Sequence, residues 1–326
     1  MTRRNLLSIL PGTAGLLLAE RASLHHHVLA FYYGWYANLE VSGRWAHWPE
    51  GTAHEPQLGR YDSHDPKVIE KHFTQAKSAG ITGLIVSWWR PADFQDQGMP
   101  SLLAAAERAE LKITIYYEAA KPRKSPTPQA TEDDLVDILM RYGNHPAWLR
   151  AGNTPVVFVY TRAVNELQLR GWTSVLSQVK RRYGGGLCLV GDQISEAASK
   201  VFDGIHSYNP TNEIANMNVE QIRSWARAAY PKWVATAGPG ISCVTVIPGY
   251  DDTKLDRRGP RPTTERHGGD TYRALWQEAI AARPDWILIT SWNEWHEGSE
   301  IEPSMENGDR ELATTGEFSR RFVSGR

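Results

Sequence analysis

At 326 residues, with 41% hydrophobic and 22% charged side chains, the chain has the length and core material for one large α/β barrel. A formal net charge of −1 excludes both the broad basic field of a nucleic-acid binder and the polybasic face of a membrane-surface protein. Two cysteines exclude a cysteine-based zinc site by count, and Cys188 and Cys243 are expected as buried free thiols.

Residues 1–24 read as an export signal of the twin-arginine type. Thr2-Arg3-Arg4-Asn5-Leu6-Leu7 sets paired arginines ahead of an apolar run that reaches Ala19 and breaks at Pro11-Gly12. That run is too short and interrupted for a stable membrane span, so a periplasmic or extracellular protein is expected. Residues 25–326 are expected to form one domain. His25-His26-His27 falls where the first strand begins, and neighbouring side chains of a strand point to opposite faces, so the three read as structural.

Short apolar runs bounded by Gly, Pro or polar residues then alternate with helical patterns. The candidate strands are Val28–Tyr33, Thr82–Trp88, Lys112–Glu118, Pro155–Tyr160, Gly186–Val190, Gly204–Ser207, Trp233–Ala237 and Trp286–Trp292. Asp65-Pro66 supplies an N-cap and a first-turn proline for a helix carrying Val68, Ile69, His72, Phe73 and Ala76, closed by Gly80. Thr131-Glu132-Asp133-Asp134 opens another helix, and Asp270 a third that carries Tyr272, Leu275, Trp276 and Ile280 and stops at Pro284. The alternation predicts a single (β/α)8 TIM barrel with long βα loops. An open doubly wound sheet is the competing architecture. Against its nucleotide-binding form, the first strand lacks a Gly-x-Gly-x-x-Gly turn and no Walker-type loop follows elsewhere. The long segments Gly34–Asp65 and Gly238–Gly269 are expected as functional loops at the strands' C-terminal ends.

The chain also carries 13 Trp and 13 Tyr, several clustered as Tyr32, Tyr33, Trp35, Tyr36, then Trp45, Trp48, then Trp88-Trp89. Large aromatic rings fill cores, and flat rings with one polar handle also suit the faces of sugars. Composition supports both readings.

The eighth predicted strand runs into Asn293-Glu294-Trp295-His296-Glu297-Gly298-Ser299-Glu300-Ile301-Glu302, four glutamates in nine residues. In a helical turn Glu294 and Glu297 project to one side, with Cβ atoms about 5–6 Å apart. Glycosidic cleavage needs two carboxyl groups flanking the bond, and a short separation belongs to retaining mechanisms. Apolar walls from Trp292 and Trp295 would keep one carboxyl protonated as the acid. Glu300 and Glu302 read as supports; solvation or ion pairing to the arginine-rich loop is the alternative for all four. No histidine at position 300 completes a His-Glu-x-x-His metalloprotease site, and no Gly-x-Ser-x-Gly elbow signals a serine hydrolase.

This segment resembles the Asn-Glu-Trp-His-Glu-Gly-Thr-Gln-Ile-Glu signature of family-99 glycoside hydrolases, the endo-α-1,2-mannosidases and their bacterial relatives. Further matches are Tyr32-Tyr33-Gly34-Trp35-Tyr36, Tyr61-Asp62-Ser63-His64-Asp65-Pro66, Leu84-Ile85-Val86-Ser87-Trp88-Trp89, Phe202-Asp203-Gly204 and Gly238-Pro239-Gly240. The resemblance implies a barrel and a retaining endo-α-glycosidase acting on an oligosaccharide or polysaccharide, best matched by an α-mannoside, with no metal or cofactor. It implies that one glutamate deprotonates the substrate 2-hydroxyl to give a 1,2-anhydro sugar, while the other acts as general acid and then base. Glu294 matches the first role and Glu297 the second.

By the same resemblance, Tyr208, Asn293 and Glu118 match polar contacts to sugar, an ion pair with Lys121 being the alternative for Glu118. Tyr33, Trp35, Trp88, Trp295 and His296 are expected to line the same cleft. Departures lie at Ser299-Glu300, along Tyr117–Arg123, and at His206 and Asn209-Pro210 flanking Tyr208. They surround sugar subsites, so they bear on specificity rather than on reaction class. A non-catalytic carbohydrate-binding protein and a polysaccharide-biosynthesis protein are the other functions to weigh. The presence of both glutamates counts against the first, and the missing phosphate-binding glycine loop against the second.

Overall fold

The computed structural model describes residues 25–118, 127–255, 259 and 261–325. The expected export signal and Lys121 lie outside them. The barrel strands are β1 (His27–Tyr32), β2 (Gly83–Trp88), β3 (Lys112–Tyr117), β4 (Thr154–Val159), β5 (Cys188–Asp192), β6 (Gly204–His206), β7 (Ile241–Val246) and β8 (Trp286–Ile289). All neighbours pair in parallel and in chain order, and β8 pairs with β1, so the sheet closes into the predicted (β/α)8 barrel.

Outside the ring stand α1 (Pro66–Ser78), α2 (Phe94–Ala109), α3 (Pro128–Tyr142), α4 (Thr161–Tyr183), α5 (Val219–Ala237), α6 (Asp270–Ala282) and α7 (Arg310–Val323). Between β5 and β6 the described crossover carries only a short 3₁₀ turn, Ala198–Lys200. Asp65 caps α1 by accepting from the Lys67 amide at 2.9 Å, with Pro66 in the first turn; such a cap contributes about 1 kcal/mol. The start of α3 lies earlier than expected. Thr127 is its cap, accepting from the Ala130 amide, with Pro128 next, and Thr131 is buried inside the helix.

The period of two along each strand divides the apolar side chains between two cores. Leu29, Phe31, Ile85, Tyr116, Val156, Phe158, Cys188, Val190, Ile241, Cys243, Trp286 and Leu288 fill the barrel interior. Their neighbours Val28, Ala30, Tyr32, Leu84, Val86, Trp88, Ile113, Ile115, Tyr117, Val244 and Val246 face the helices. Both cysteines are buried free thiols. The histidines of the first strand diverge: His26 Nδ1 meets the Asp285 carbonyl at 3.2 Å and His27 Nδ1 the Thr82 hydroxyl at 3.0 Å. Among the described residues no helix is long and apolar enough to cross a membrane.

One predicted strand is wrong. Trp233–Ala237 is the last turn of α5, whose buried residues Ile222, Ala226, Tyr230 and Ala237 keep helical spacing, and whose start is fixed by a reciprocal Asn218–Gln221 capping box. The seventh strand is Ile241-Ser242-Cys243-Val244-Thr245-Val246, a β-branched run that the expected loop from Gly238 had absorbed.

The ring has one unusual seam. β3 and β4 pair directly only at Tyr116 with Phe158 and Tyr117 with Val159. Below that, residues 147–149 wedge between them: Ile113 N donates to Ala147 O, Leu149 N to Ile113 O, and Val156 N to Leu149 O, at 2.7–2.9 Å.

Candidate active site

Inward parity, carried a residue or two beyond the strands' C-terminal ends, delivers Tyr33, Trp89, Glu118, Tyr160 and Tyr208 to one place. There they line a cleft of about 260 Å³ together with Tyr116, Arg162 and Leu255. The loop after β1 adds Trp35, His47 and Glu50, and the segment after β8 adds Glu294, His296 and Glu297.

That last segment is a compact loop closed on itself. Ser291 N donates to Ser299 O at 2.7 Å, Ile301 N to Ser291 O at 2.9 Å and Glu302 N to Trp292 O at 2.9 Å. Inside it, Glu294 N donates to Ser291 Oγ at 2.7 Å and Glu297 N to Glu294 O at 3.2 Å, which turns both carboxylates to the cleft side. His296 N donates back to Glu294 Oε1 at 3.2 Å. Gly298 ends the turn at φ +58°, where an added Cβ would meet Ala53 Cβ at 2.8 Å, so only glycine fits.

Behind the loop, Asn293 clasps the end of β1: Tyr33 N donates to its Oδ1 at 2.7 Å and its Nδ2 donates to Tyr33 O at 2.9 Å. The Tyr61 hydroxyl is saturated. It accepts from Asn293 Nδ2 and Trp295 Nε1, both at 3.1 Å, and donates to Glu302 Oε2 at 2.8 Å. Glu302 also meets His72 Nε2 at 3.0 Å, and Glu300 meets His54 at 2.9 Å and Arg266 at 2.6 Å. Asn293, Trp295, Glu300 and Glu302 are therefore buried supports of the loop and do not line the cleft.

Trp88 also departs from expectation. It ends β2 on outward parity, fully buried toward α2, with Nε1 donating to Asp96 Oδ1 at 3.0 Å. Trp89 takes the place in the cleft. Sequence reasoning also passed over Tyr116, Tyr160, Arg162, His47, Glu50 and Leu255. For the first two the strand alternation was the available signal; loop residues carry none.

The wall opposite the loop is a chain of hydroxyls. Tyr33 Oη donates to Tyr208 Oη at 2.6 Å, and Tyr208 Oη donates to Glu297 Oε2 at 3.3 Å. Burial first, and then the Glu294 and Glu297 carboxylates, push these phenols well above their usual range, so they act as neutral donors. Asp192, at the inward end of β5, fixes Tyr208 by accepting its amide at 3.0 Å and holds Tyr116 Oη at 2.9 Å.

Glu118 is buried beside Ser87 Oγ, which donates to it at 2.6 Å, and 3.9 Å from the Arg162 guanidinium. Burial pushes its pKa up to about 7, Glu297 adding to the push while Ser87 and Arg162 oppose it. Burial, with neighbouring His296 and Arg44, lowers His47 to about 3, which leaves it a neutral imidazole. Two carboxylates on one turn, a third facing them, and aromatic rings around all three suit acid–base work on a bound sugar.

The family model described as "Glycosyl hydrolase family 99" matches residues 49–313. The chain is 29% identical to glycoprotein endo-alpha-1,2-mannosidase of Mus musculus over 92% of its own length and 72% of that protein. It is 28% identical to the Rattus norvegicus enzyme of the same name, over 90% of this chain and 71% of that one. The solved structure of the GH99 endo-alpha-mannosidase from Bacteroides thetaiotaomicron superposes with a TM-score of 0.78 at 26% identity, covering 93% of this chain and 100% of that chain.

Proposed function

The chain belongs to glycosyl hydrolase family 99 and is a glycoside hydrolase; we propose that it cuts an internal α-mannosidic bond with retention, through Glu294 and Glu297. The observation that carries this reading is their position: one turn after β8, both lining one aromatic cleft, with Glu297 held by the Tyr208 hydroxyl. The endo-alpha-mannosidase names of the relatives support the sugar assignment.

In this mechanism Glu294 takes the proton of the substrate 2-hydroxyl, and that oxygen attacks C1 as the bond to the leaving sugar breaks. Glu297 gives its proton to the departing oxygen. Water, deprotonated by Glu297, then opens the three-membered ring at C1, and O2 recovers its proton from Glu294. Two inversions give net retention. The neutral Tyr33–Tyr208 pair supplies a fixed donor to Glu297, and Trp35 and Trp89 offer ring faces to the sugars.

Incubation with α-1,2-linked manno-oligosaccharides and α-glucans, followed by proton NMR, tests the reading. Oligosaccharides released first as the α-anomer are expected. A β-anomer formed first overturns retention, and no release from any α-glycan overturns the assignment. We infer in addition that residues 1–24 direct export, supported by Arg3-Arg4 and the apolar run after them. Replacing Arg3→Lys and Arg4→Lys together should hold the protein inside the cell; unchanged export would sink this inference.

A further inference from the structure

We propose that Asp192 is the positioning residue of the cleft floor: its buried carboxylate fixes where Tyr208 stands, so that the Tyr208 hydroxyl reaches Glu297. The proposal rests on Glu297 as the acid and base of the mechanism above. Asp192 ends β5 and is 6% exposed. Its Oδ1 accepts from Tyr208 N at 3.0 Å, and its Oδ2 accepts from Tyr116 Oη at 2.9 Å and Thr161 N at 3.1 Å. These donors come from the segment after β6, from β3 and from the start of α4, so one carboxylate ties three parts of the ring together. Among the described residues Asp192 forms no ion pair. Two amides and a phenol therefore meet its charge. Taking a carboxylate out of water is costly, and an apolar side chain of similar size would fill the place without that cost. What the charge adds is orientation of its three donors.

Two of those donors lead directly to the walls of the cleft. Tyr208 Oη donates to Glu297 Oε2 at 3.3 Å, and its ring stacks on Tyr116 with centroids 5.9 Å apart and planes 23° apart. Both the backbone and the ring of Tyr208 are thus set from Asp192. Thr161 opens α4, whose own N-cap, Tyr160, makes no side-chain bond to the first turn. Asp192 caps that turn from another strand, and a carboxylate suits the positive end of the helix. Arg162 follows on the same turn, donates to Glu118 O at 3.3 Å, and lies over the Trp89 ring at 5.6 Å. The carboxylate that sets Tyr208 against Glu297 also sets Arg162 against Glu118.

Asp192→Ala removes all three acceptors, and Asp192→Asn, which keeps one, is the milder second variant. The first readout is carbon-13 NMR titration of the Glu297 carboxyl in substrate-free, full-length protein. Glu118, Glu294, Tyr33, Tyr160, Tyr208 and Arg162 share the cleft with it. Losing the Tyr208 hydroxyl strips a donor from the Glu297 carboxylate and raises its proton affinity about tenfold, as expected for one hydrogen bond to a charged group. Loss of the Asp192 charge by itself acts in the opposite direction, so the sign separates positioning from plain electrostatics. A rise is expected in both variants, smaller in Asp192→Asn, and no further rise when Asp192→Ala is added to Tyr208→Phe. The kcat on α-1,2-linked manno-oligosaccharides should fall about tenfold with KM nearly unchanged, again with no added loss in the Tyr208→Phe background. In the unaltered protein the Tyr208 and Thr161 amides should exchange hydrogen only on global unfolding. A lowered or unchanged Glu297 midpoint in a folded variant, effects that add to those of Tyr208→Phe, or fast exchange of the Tyr208 amide overturns the proposal. Absence of cleavage by the unaltered protein overturns the glycosidase reading instead, and the titration and exchange then decide the role of Asp192.

Discussion

Glu118 is 7% exposed, and the proton affinity of its carboxyl links the site to stability. Its pKa is raised from 4.5 to about 7, so the folded state binds this proton more tightly than the unfolded chain does. The resulting stabilisation is complete below pH 4.5 and is lost as pH rises through about 7. At roughly 1.4 kcal/mol per tenfold change in proton affinity, the ionised form is on the order of 3 kcal/mol less stable. Glu118→Gln removes that dependence. Its melting temperature relative to the unaltered protein should therefore rise between pH 5 and pH 9, and an equal difference at both pH values would contradict the burial argument. Glu294→Gln and Glu297→Gln keep size and shape but abolish proton transfer, so each should lower kcat about 10³-fold or more with an unchanged melting temperature. Full turnover in either variant would remove that residue from the chemistry.

At the scale of the element, one strand position separates a core residue from a site residue. Trp88 and Trp89 are adjacent, yet the first packs toward α2 and the second lines the cleft. Trp88→Ala should cost about 3–5 kcal/mol of stability, read by denaturant titration. Trp89→Ala should leave stability nearly intact and raise KM; the reverse pattern would mean that the strand register is misread. Glu294 and Glu297 were legible in the sequence because one local segment contains both of them and their turn. The barrel was legible because apolar runs and helical patterns alternate. Tyr160 and Trp89 were not, because their meaning depends on counting parity from a register set by neighbouring strands. The seventh strand was hidden because Trp233–Ala237 is as apolar as a strand, and the helix that owns it shows only over a longer window. His47 and Glu50 lie in a loop, where no period marks direction.

Across the whole molecule, the first and last long loops form one structure. Ala53 N donates to Trp295 O at 2.8 Å, Gln57 N to Pro303 O at 3.0 Å and Met305 N to Glu55 O at 2.8 Å, while Tyr61 and His72 meet at Glu302. Tyr61→Phe strips one hydroxyl of three partners and should destabilise the fold by about 1–3 kcal/mol. Asn293 and Trp295 brace the loop that carries Glu294 and Glu297 through that hydroxyl, so on the proposed mechanism kcat should fall while KM changes little. A loss of stability alone would show that the loop keeps its shape unaided. The clasp between Tyr33 and Asn293 joins residues 260 positions apart. A ribosome making this chain has therefore released seven of the eight strands before either of the proposed catalytic glutamates exists, and the waiting β1 loop has nothing to close upon. On the proposed mechanism, a chain cut short before Asn293 is therefore chemically silent however much of the barrel it has built.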